Sequence, residues 1–390
     1  MPEATQYGNL PPDPRYDSGR KTPWLQQVRK AEDAMTLILS NSDVERVIDM
    51  GECMSALEDA YKDLQVQNGT NRPRNHTYFP AESPNHPGFR FRFKSQEGGT
   101  VSTGVWALRI TSDMVGVERM VDGSFRRRLL PVATGNRYVG FIVLFDLERV
   151  EPVAIIHDSV IQKYRVAATS ALAIRELALS DAEVAGLFGA GWQAGAHLDA
   201  LLRVRPDIRE IRVFSPTPEH RRRFAEEQSA KHGRKVVAVD CPEDAVRGCQ
   251  IITAATAAMD PVFDGRCLEP GQHVTCITSP DGTAMRRELD DEAFARADVL
   301  VVLSREQIEH DNQVDIKVAI EKGTTAWELG ELLLGRTPGR TNPKQITLFA
   351  NNTGMGIQFA AVGARVLELA RKAGLGHEMP TELFLEETIP

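Results

Sequence analysis

Ala185-Gly186-Leu187-Phe188-Gly189-Ala190-Gly191-Trp192-Gln193-Ala194 is the stretch that decides the fold. An apolar strand runs straight into G-x-G-x-x-A, and a helix-forming segment to Leu202 follows. Each small residue has a physical task. Gly189 permits the tight turn, Gly191 leaves no side chain to block a pyrophosphate, and Ala194 lets the helix lie close to the strand. The helix start then offers unpaired backbone N–H groups and a positive dipole end to phosphates. The motif alone is weak, since a tight glycine turn can exist without a ligand. Here the strand before it, the helix after it and a second strand at Glu210–Ser215 supply the required context. Gly189, Ala190, Gly191, Trp192 and Gln193 are therefore the expected cofactor-binding turn.

Outward from this turn, strand signals at Ile211–Phe214, Val236–Val239, Ile251–Ala255, Val274–Ile277 and Val299–Leu303 alternate with helical ones. That alternation predicts an α/β unit, a parallel sheet covered on both faces. An acidic residue at the end of the second strand would grip the ribose 2′-hydroxyl of NAD, but Ser215-Pro216-Thr217 stands there. Asp207 lies before the strand, at the wrong edge. Arg221, Arg222 and Arg223 follow in the first turns of the next helix, where one could meet a 2′-phosphate or simply face solvent. NADP is thus favoured over NAD, with Ser215, Thr217 and Arg221 as expected contacts.

The 390 residues, 42% hydrophobic and 26% charged, suit two soluble domains. No apolar run reaches membrane-spanning length, and the polar, proline-rich start has no secretory pattern, so a cytoplasmic protein is expected. Five cysteines without a C-x-x-C pair argue against disulfides and zinc, and no His/Cys/Asp/Glu spacing suggests a metal. A net charge of −8 disfavours nucleic acid, and Arg126-Arg127-Arg128 reads as a solvated loop.

Residues 1–34 read as an arm. Residues 35–160 and 340–390 read as one domain, and 161–339 as the nucleotide-binding domain with its linking helix, Ile161–Leu179. The first domain should contain a strand at Thr36–Leu39, a helix over Asp43–Gln65, and an antiparallel or mixed sheet from Phe89–Phe93, Gly104–Ile110 and Tyr138–Phe145. Val115–Asn136 reads as a hairpin excursion with no catalytic role. The last strand, Gln345–Ala350, and the helix from Met355 to Lys372 are expected to rejoin the first domain.

A set of ordered motifs carries a resemblance. Tyr164-Arg165-Val166-Ala167-Ala168 precedes the glycine turn with His197. Then come Ile252–Thr256 with Pro261, Pro270-Gly271-Gln272-His273, Arg287-Glu288-Leu289-Asp290, Leu329–Leu332 with Gly335, and Ile346–Phe349 with Gly354-Met355. Over roughly residues 35 to 375 the chain resembles the ornithine cyclodeaminase/μ-crystallin family. The resemblance implies a Rossmann domain plus a discontinuous α+β substrate and dimerisation domain, a homodimer, a nicotinamide cofactor contacted also by Thr256, and a small amino, imino or keto acid as substrate. Residues 1–34 and the excursion near 115–137 look like additions to it.

Members of that family include cyclodeaminases, amino-acid dehydrogenases, imine reductases and NADPH-binding proteins, so the resemblance fixes the cofactor better than the substrate. The leading expectation is an NAD(P)-dependent oxidoreductase moving a hydride to or from the Cα of an α-amino or α-imino acid. A cyclodeaminase-like lyase and a non-catalytic binding protein are the alternatives. Such chemistry needs a carboxylate clamp, a proton carrier and a dry pocket. The resemblance implies Arg165, with Arg72 or Arg74, as carboxylate ligands, and Asp281 as the acid/base. The family offers a lysine where Gly104-Val105-Trp106 places Trp106, so an aromatic pocket wall is expected there, with Lys94 or Arg109 reaching in. His197 and His273 read as structural.

Overall fold

The computed structural model describes residues 34–120, 123–280 and 285–388. The expected arm at 1–34, apart from Ala34, lies outside the described residues, as does Asp281.

The first sheet has nine strands: β1 (Met35–Leu39), β2 (Gly69–Asn71), β3 (Asn75–Tyr78), β4 (Phe89–Thr100), β5 (Val105–Arg119), β6 (Phe125–Leu130), β7 (Val139–Asp146), β8 (Pro152–His157) and β17 (His377–Pro380). Their order is β17-β1-β8-β7-β5-β4-β2, with β3 also on β4 and β6 also on β5. Only β1 and β8 pair in parallel, so the sheet is mixed. The helix expected over Asp43–Gln65 is two helices, Asn41–Val47 and Met50–Gln65. The break falls at Ile48-Asp49, where Asp49 is extended and its carboxylate accepts from the Glu52 N–H at 2.9 Å, capping the second helix.

The second sheet is wholly parallel: β11 (Lys235–Ala238), β10 (Glu210–Phe214), β9 (Val184–Phe188), β12 (Ile251–Ala254), β13 (His273–Cys276), β16 (Thr347–Ala350), β14 (Val299–Val302) and β15 (Ala326–Glu328), in that order. One expectation needs correction. The last strand does not rejoin the first domain, because β16 sits between β13 and β14 in the middle of this sheet. All four of its residues are buried, as a central parallel strand with both faces covered requires. The chain returns only afterwards, through the Gly356–Ala373 helix, which packs on β4, β5 and the Met50–Gln65 helix. Gly356 makes that return possible: a Cβ there would meet the Glu97 backbone at 1.9 Å.

The Ser159–Leu177 helix is buried at every position from Val166 to Ile174. Its run of Ala, Ser and Thr lets it press between the Met50–Gln65 helix and the Trp192–Val204 helix that follows the glycine turn. The two sheets are thereby fixed relative to each other around one shared cleft.

The excursion after Val115 is a hairpin, but it is not an idle one. Strands β5 and β6 reach across to the loop after β12, where the Arg127 N–H donates to the Ala257 carbonyl at 3.2 Å and the Met259 N–H to the Phe125 carbonyl at 3.1 Å. Arg126-Arg127-Arg128, expected as a solvated loop, is instead part of β6. Strand alternation sends Arg126 and Arg128 to one face, where both pair with Glu118, and Arg127 to the other. Among the described residues no helix is long and apolar enough to cross a membrane.

Candidate active site

The site forms at the carboxyl ends of the parallel strands, on both sides of β9. Gly189 has φ +108°, and a Cβ there would meet the Ala255 carbonyl oxygen at 2.5 Å, so only glycine fits the turn. Gly191 caps the next helix, and a Cβ on it would meet nothing within 4 Å. That open space in front of a helix N-terminus is where a pyrophosphate can lie.

Two cavities flank this turn. The first, about 390 Å³, is lined by Gly189, Ala190, Gly191, Ser215 and Thr217, and is roofed by Met120 and Ser124–Arg126 of the hairpin. The expected role of Arg221 fails here. Its guanidinium turns inward, donating to the Ser215 carbonyl at 3.0 Å, pairing with Asp240 at 2.6 Å and lying 5.5 Å from the Phe214 ring centre. It shapes the loop rather than lining the cavity. The Ser215 hydroxyl, by contrast, is buried without a hydrogen-bond partner among the described residues.

The second cavity, about 450 Å³, adjoins it and carries the chemistry. Gly191, Trp192, Gln193 and Thr256 form its nucleotide side, while Arg74, Lys94, Gln96, Arg127, Arg165 and Arg286 supply polar walls from both sheets. Arg165 is buried, and its nitrogens donate to Gln358 Oε1 at 3.0 Å and to Gln162 Oε1 at 2.8 and 3.3 Å, with its charge 5.4 Å from the Phe359 ring. All these partners are neutral. Burial, and then the nearby Arg109 charge, push its pKa down to about 9. A desolvated cation without a counter-charge is a ready site for a carboxylate.

Lys94 is half-buried and has no ion-pair partner among the described residues. Burial, then the Arg109 and Arg92 charges, hold its ammonium well below the usual lysine range. Arg74 is partly engaged, with Nη2 3.0 Å from Asp311.

Three expected residues lie elsewhere. Arg72 is 69% exposed and pairs with Glu97 at 3.2 Å, outside the cavity, because successive strand and loop positions point apart across Pro73. Trp106 lines neither cavity. Along β5, Val105, Ala107 and Arg109 face the core, so Trp106 and Leu108 project from the opposite side. Lys94, on the neighbouring strand, faces the cavity instead. Arg109 is buried against Phe359 and donates to Asp158 and Gln96, both at 2.7 Å, so it positions Gln96 rather than lining the cavity. Asp281 falls outside the described residues, two positions after Ser279, which lines the cavity.

The histidines behave as internal groups. His197 bridges Ser170 and the Gln193 carbonyl, and burial lowers it to about 4. His273 lies between the Thr347 and Thr275 hydroxyls, lowered to about 3 by burial.

Sequence reasoning passed over Glu288, although it stands in the quoted Arg287–Asp290 motif. Its carboxylate is fully buried. Oε1 accepts from the Thr256 hydroxyl at 2.7 Å, and Oε2 accepts from the Ile277 and Thr278 N–H groups at 2.7 and 3.0 Å. It thereby ties the ends of β12 and β13 together beneath the cavity. Burial pushes its pKa up to about 7. No group of three metal-ligating side chains occurs among the described residues.

Known proteins share this arrangement. A Δ1-pyrroline-2-carboxylate reductase of Bacillus cereus is 31% identical over 244 residues, 62% of this chain and 74% of the relative. The Thermococcus litoralis Δ1-pyrroline-2-carboxylate reductase, solved with NADH and L-proline, superposes with a TM-score of 0.74 at 28% identity, covering 88% of this chain and 100% of that one. An archaeal alanine dehydrogenase dimer with bound NAD gives 0.72 at 25% identity, covering 88% and 99%. A family profile matches residues 128–373, and the chain belongs to the ornithine cyclodeaminase/mu-crystallin family.

Proposed function

We propose that this protein is an NAD(P)-dependent oxidoreductase acting at the Cα of an α-imino or α-amino acid. The observation that carries the reading is the second cavity, where Arg165 stands without a counter-charge beside the glycine turn. Relatives named as imine reductases and amino-acid dehydrogenases support it. A dihydronicotinamide bound along Gly189–Gln193 would supply the hydride.

The chain's own groups do the rest. Arg165, assisted by Arg74, holds the substrate carboxylate and so fixes which face of Cα meets the cofactor. Asp281 carries the proton to or from the substrate nitrogen, and Lys94, with its depressed pKa, stands on the opposite wall to share or relay that proton. Glu288 keeps Thr256 and Thr278 in place around the nicotinamide.

The absence of an acidic residue at Ser215-Pro216-Thr217 supports NADPH over NADH. Ser215, Thr217 and His220 are the groups that would meet the 2′-phosphate, since Arg221 is engaged with Asp240. A second copy of the chain is proposed to cover the outer face of the first sheet, where Phe91 and Phe93 are exposed and Trp106, Leu108 and Ile110 are half-buried. The dimeric alanine dehydrogenase supports this.

The test is steady-state oxidation of NADPH and NADH with α-keto acids plus ammonia or methylamine. Turnover is expected, faster with NADPH. Saturable cofactor binding with no turnover across the panel would replace this reading with a lyase or a binding protein.

A further inference from the structure

Resting on that reading of the second cavity, we propose that the substrate carries two carboxylates, the second held by Arg127 with Arg286. The cavity's charge pattern is the starting point. Five cationic side chains line it, Arg74, Lys94, Arg127, Arg165 and Arg286, and no carboxylate side chain does so among the described residues. Asp311 answers Arg74, and a carboxylate at 281 would answer one more. Three positive charges then remain. A monocarboxylate leaves two of them uncompensated in a partly desolvated space, and a diamino acid would add another, which costs more still.

Strand register shows how Arg127 comes to be there. Directly paired residues of neighbouring strands share a face. His76 pairs with Lys94, Val115 with Leu129 and Val117 with Arg127, and Lys94 and Val115 lie on the same face of β4 and β5. One continuous sheet face therefore carries His76, Lys94, Leu129 and Arg127, all of which line the cavity. The backbone bond from Arg127 to Ala257 pins β6 beside Thr256, on the nicotinamide side. Arg286 comes from the opposite wall. Arg165 and Arg127 thus stand on different elements of one cavity, as two ends of a short dicarboxylate require. Arg127 lies one residue before the stretch matched by the family profile, on a hairpin with the character of an insertion, which suits a specificity element rather than shared machinery.

The experiment compares kcat/KM for oxaloacetate and 2-oxoglutarate against pyruvate and 2-oxobutyrate, each with ammonia and NADPH, in wild type, Arg127→Gln and Arg127→Lys. Wild type is expected to prefer the dicarboxylates. Arg127→Gln should cut that preference roughly 100-fold, the loss of charge-assisted hydrogen bonds, and Arg127→Lys should retain part of it. The NADPH Kd should stay within about twofold in all three. A wild-type preference for monocarboxylates, or an unchanged preference in Arg127→Gln, overturns the proposal. A parallel rise in NADPH Kd also overturns it, because Arg127 would then serve the pyrophosphate. If no keto acid turns over, the oxidoreductase reading fails separately, and thermal stabilisation by succinate against butyrate decides. Stabilisation by succinate lost in Arg127→Gln upholds the second anion site, and equal effects of the two acids refute it.

Discussion

Replacing Arg165 with methionine should make the unliganded protein more stable and the enzyme far worse. Burial and the Arg109 charge push this guanidinium from its ordinary value near 12.5 down to about 9. It stays protonated at working pH, so the displacement measures how strongly its charge is disfavoured, about 5 kcal/mol. Methionine of similar length removes that cost and keeps contact with Phe359, but it leaves Gln162 Oε1 and Gln358 Oε1 without their donors, a loss of about 1–3 kcal/mol. The expected net gain is about 2 kcal/mol, a rise in Tm of a few degrees. Substrate binding moves the other way. Losing a bidentate, desolvated carboxylate contact should raise KM roughly 10³-fold while the NADPH Kd changes less than twofold. The assays are thermal unfolding with and without substrate, steady-state kinetics and fluorescence titration of NADPH. Substrate should raise the Tm of wild type and not of the variant. A lower Tm together with a weakened cofactor would refute the reasoning, for Arg165 would then be a structural or phosphate-binding group.

Two further outcomes test the surrounding structure. Trp106→Asp, on the outer sheet face, should shift the protein from dimer to monomer in analytical ultracentrifugation; a dimer that persists would remove that face as the contact. Glu288 gives a pH signature. Its folded-state pKa is raised from 4.5 to about 7, so its stability contribution is complete below about 4.5 and is lost as pH rises through about 7, on the order of 3 kcal/mol in all. Urea midpoints at pH 5 and pH 8 should therefore differ more in wild type than in Glu288→Gln, and identical slopes in the two would show that Glu288 does not titrate there.

The nucleotide half of this fold was legible because its signals are local. Val184–Phe188 and the turn after it are specified by neighbours in sequence, and β10, β12, β13 and β14 each read as short buried runs within a residue of their ends. Thr347–Ala350 has the same composition, yet its place between β13 and β14 depends on a crossover from a distant part of the chain, which no local pattern encodes. The substrate half failed differently. Trp106 was misplaced by a motif register, since alternation along β5 turns it outward and Lys94 of β4 faces the cavity. Arg72 and Arg74 differ by two positions, and only the structure separates the exposed one from the lining one. Arg221 had the right position for a phosphate but found Asp240 first. A side chain's partner is a tertiary fact.

Partnering also separates structural from functional cations here. Arg92 pairs with Asp113, Arg109 with Asp158 and Arg74 with Asp311, each within 3.0 Å. A carboxylate within reach converts a buried cation from a liability into a fixed strut. Arg165 receives only amides, and Lys94 receives no partner among the described residues, although both sit in the same neighbourhood. A fold that supplies three counter-charges to adjacent cations could supply a fourth, since Gln162 or Gln358 differs from glutamate by a single group. A glutamate at either position would neutralise Arg165, stabilise the empty protein and occupy the place of the substrate. The two glutamines hold the guanidinium in orientation without cancelling its charge, so the electrostatic strain in the empty cavity becomes affinity when a carboxylate arrives.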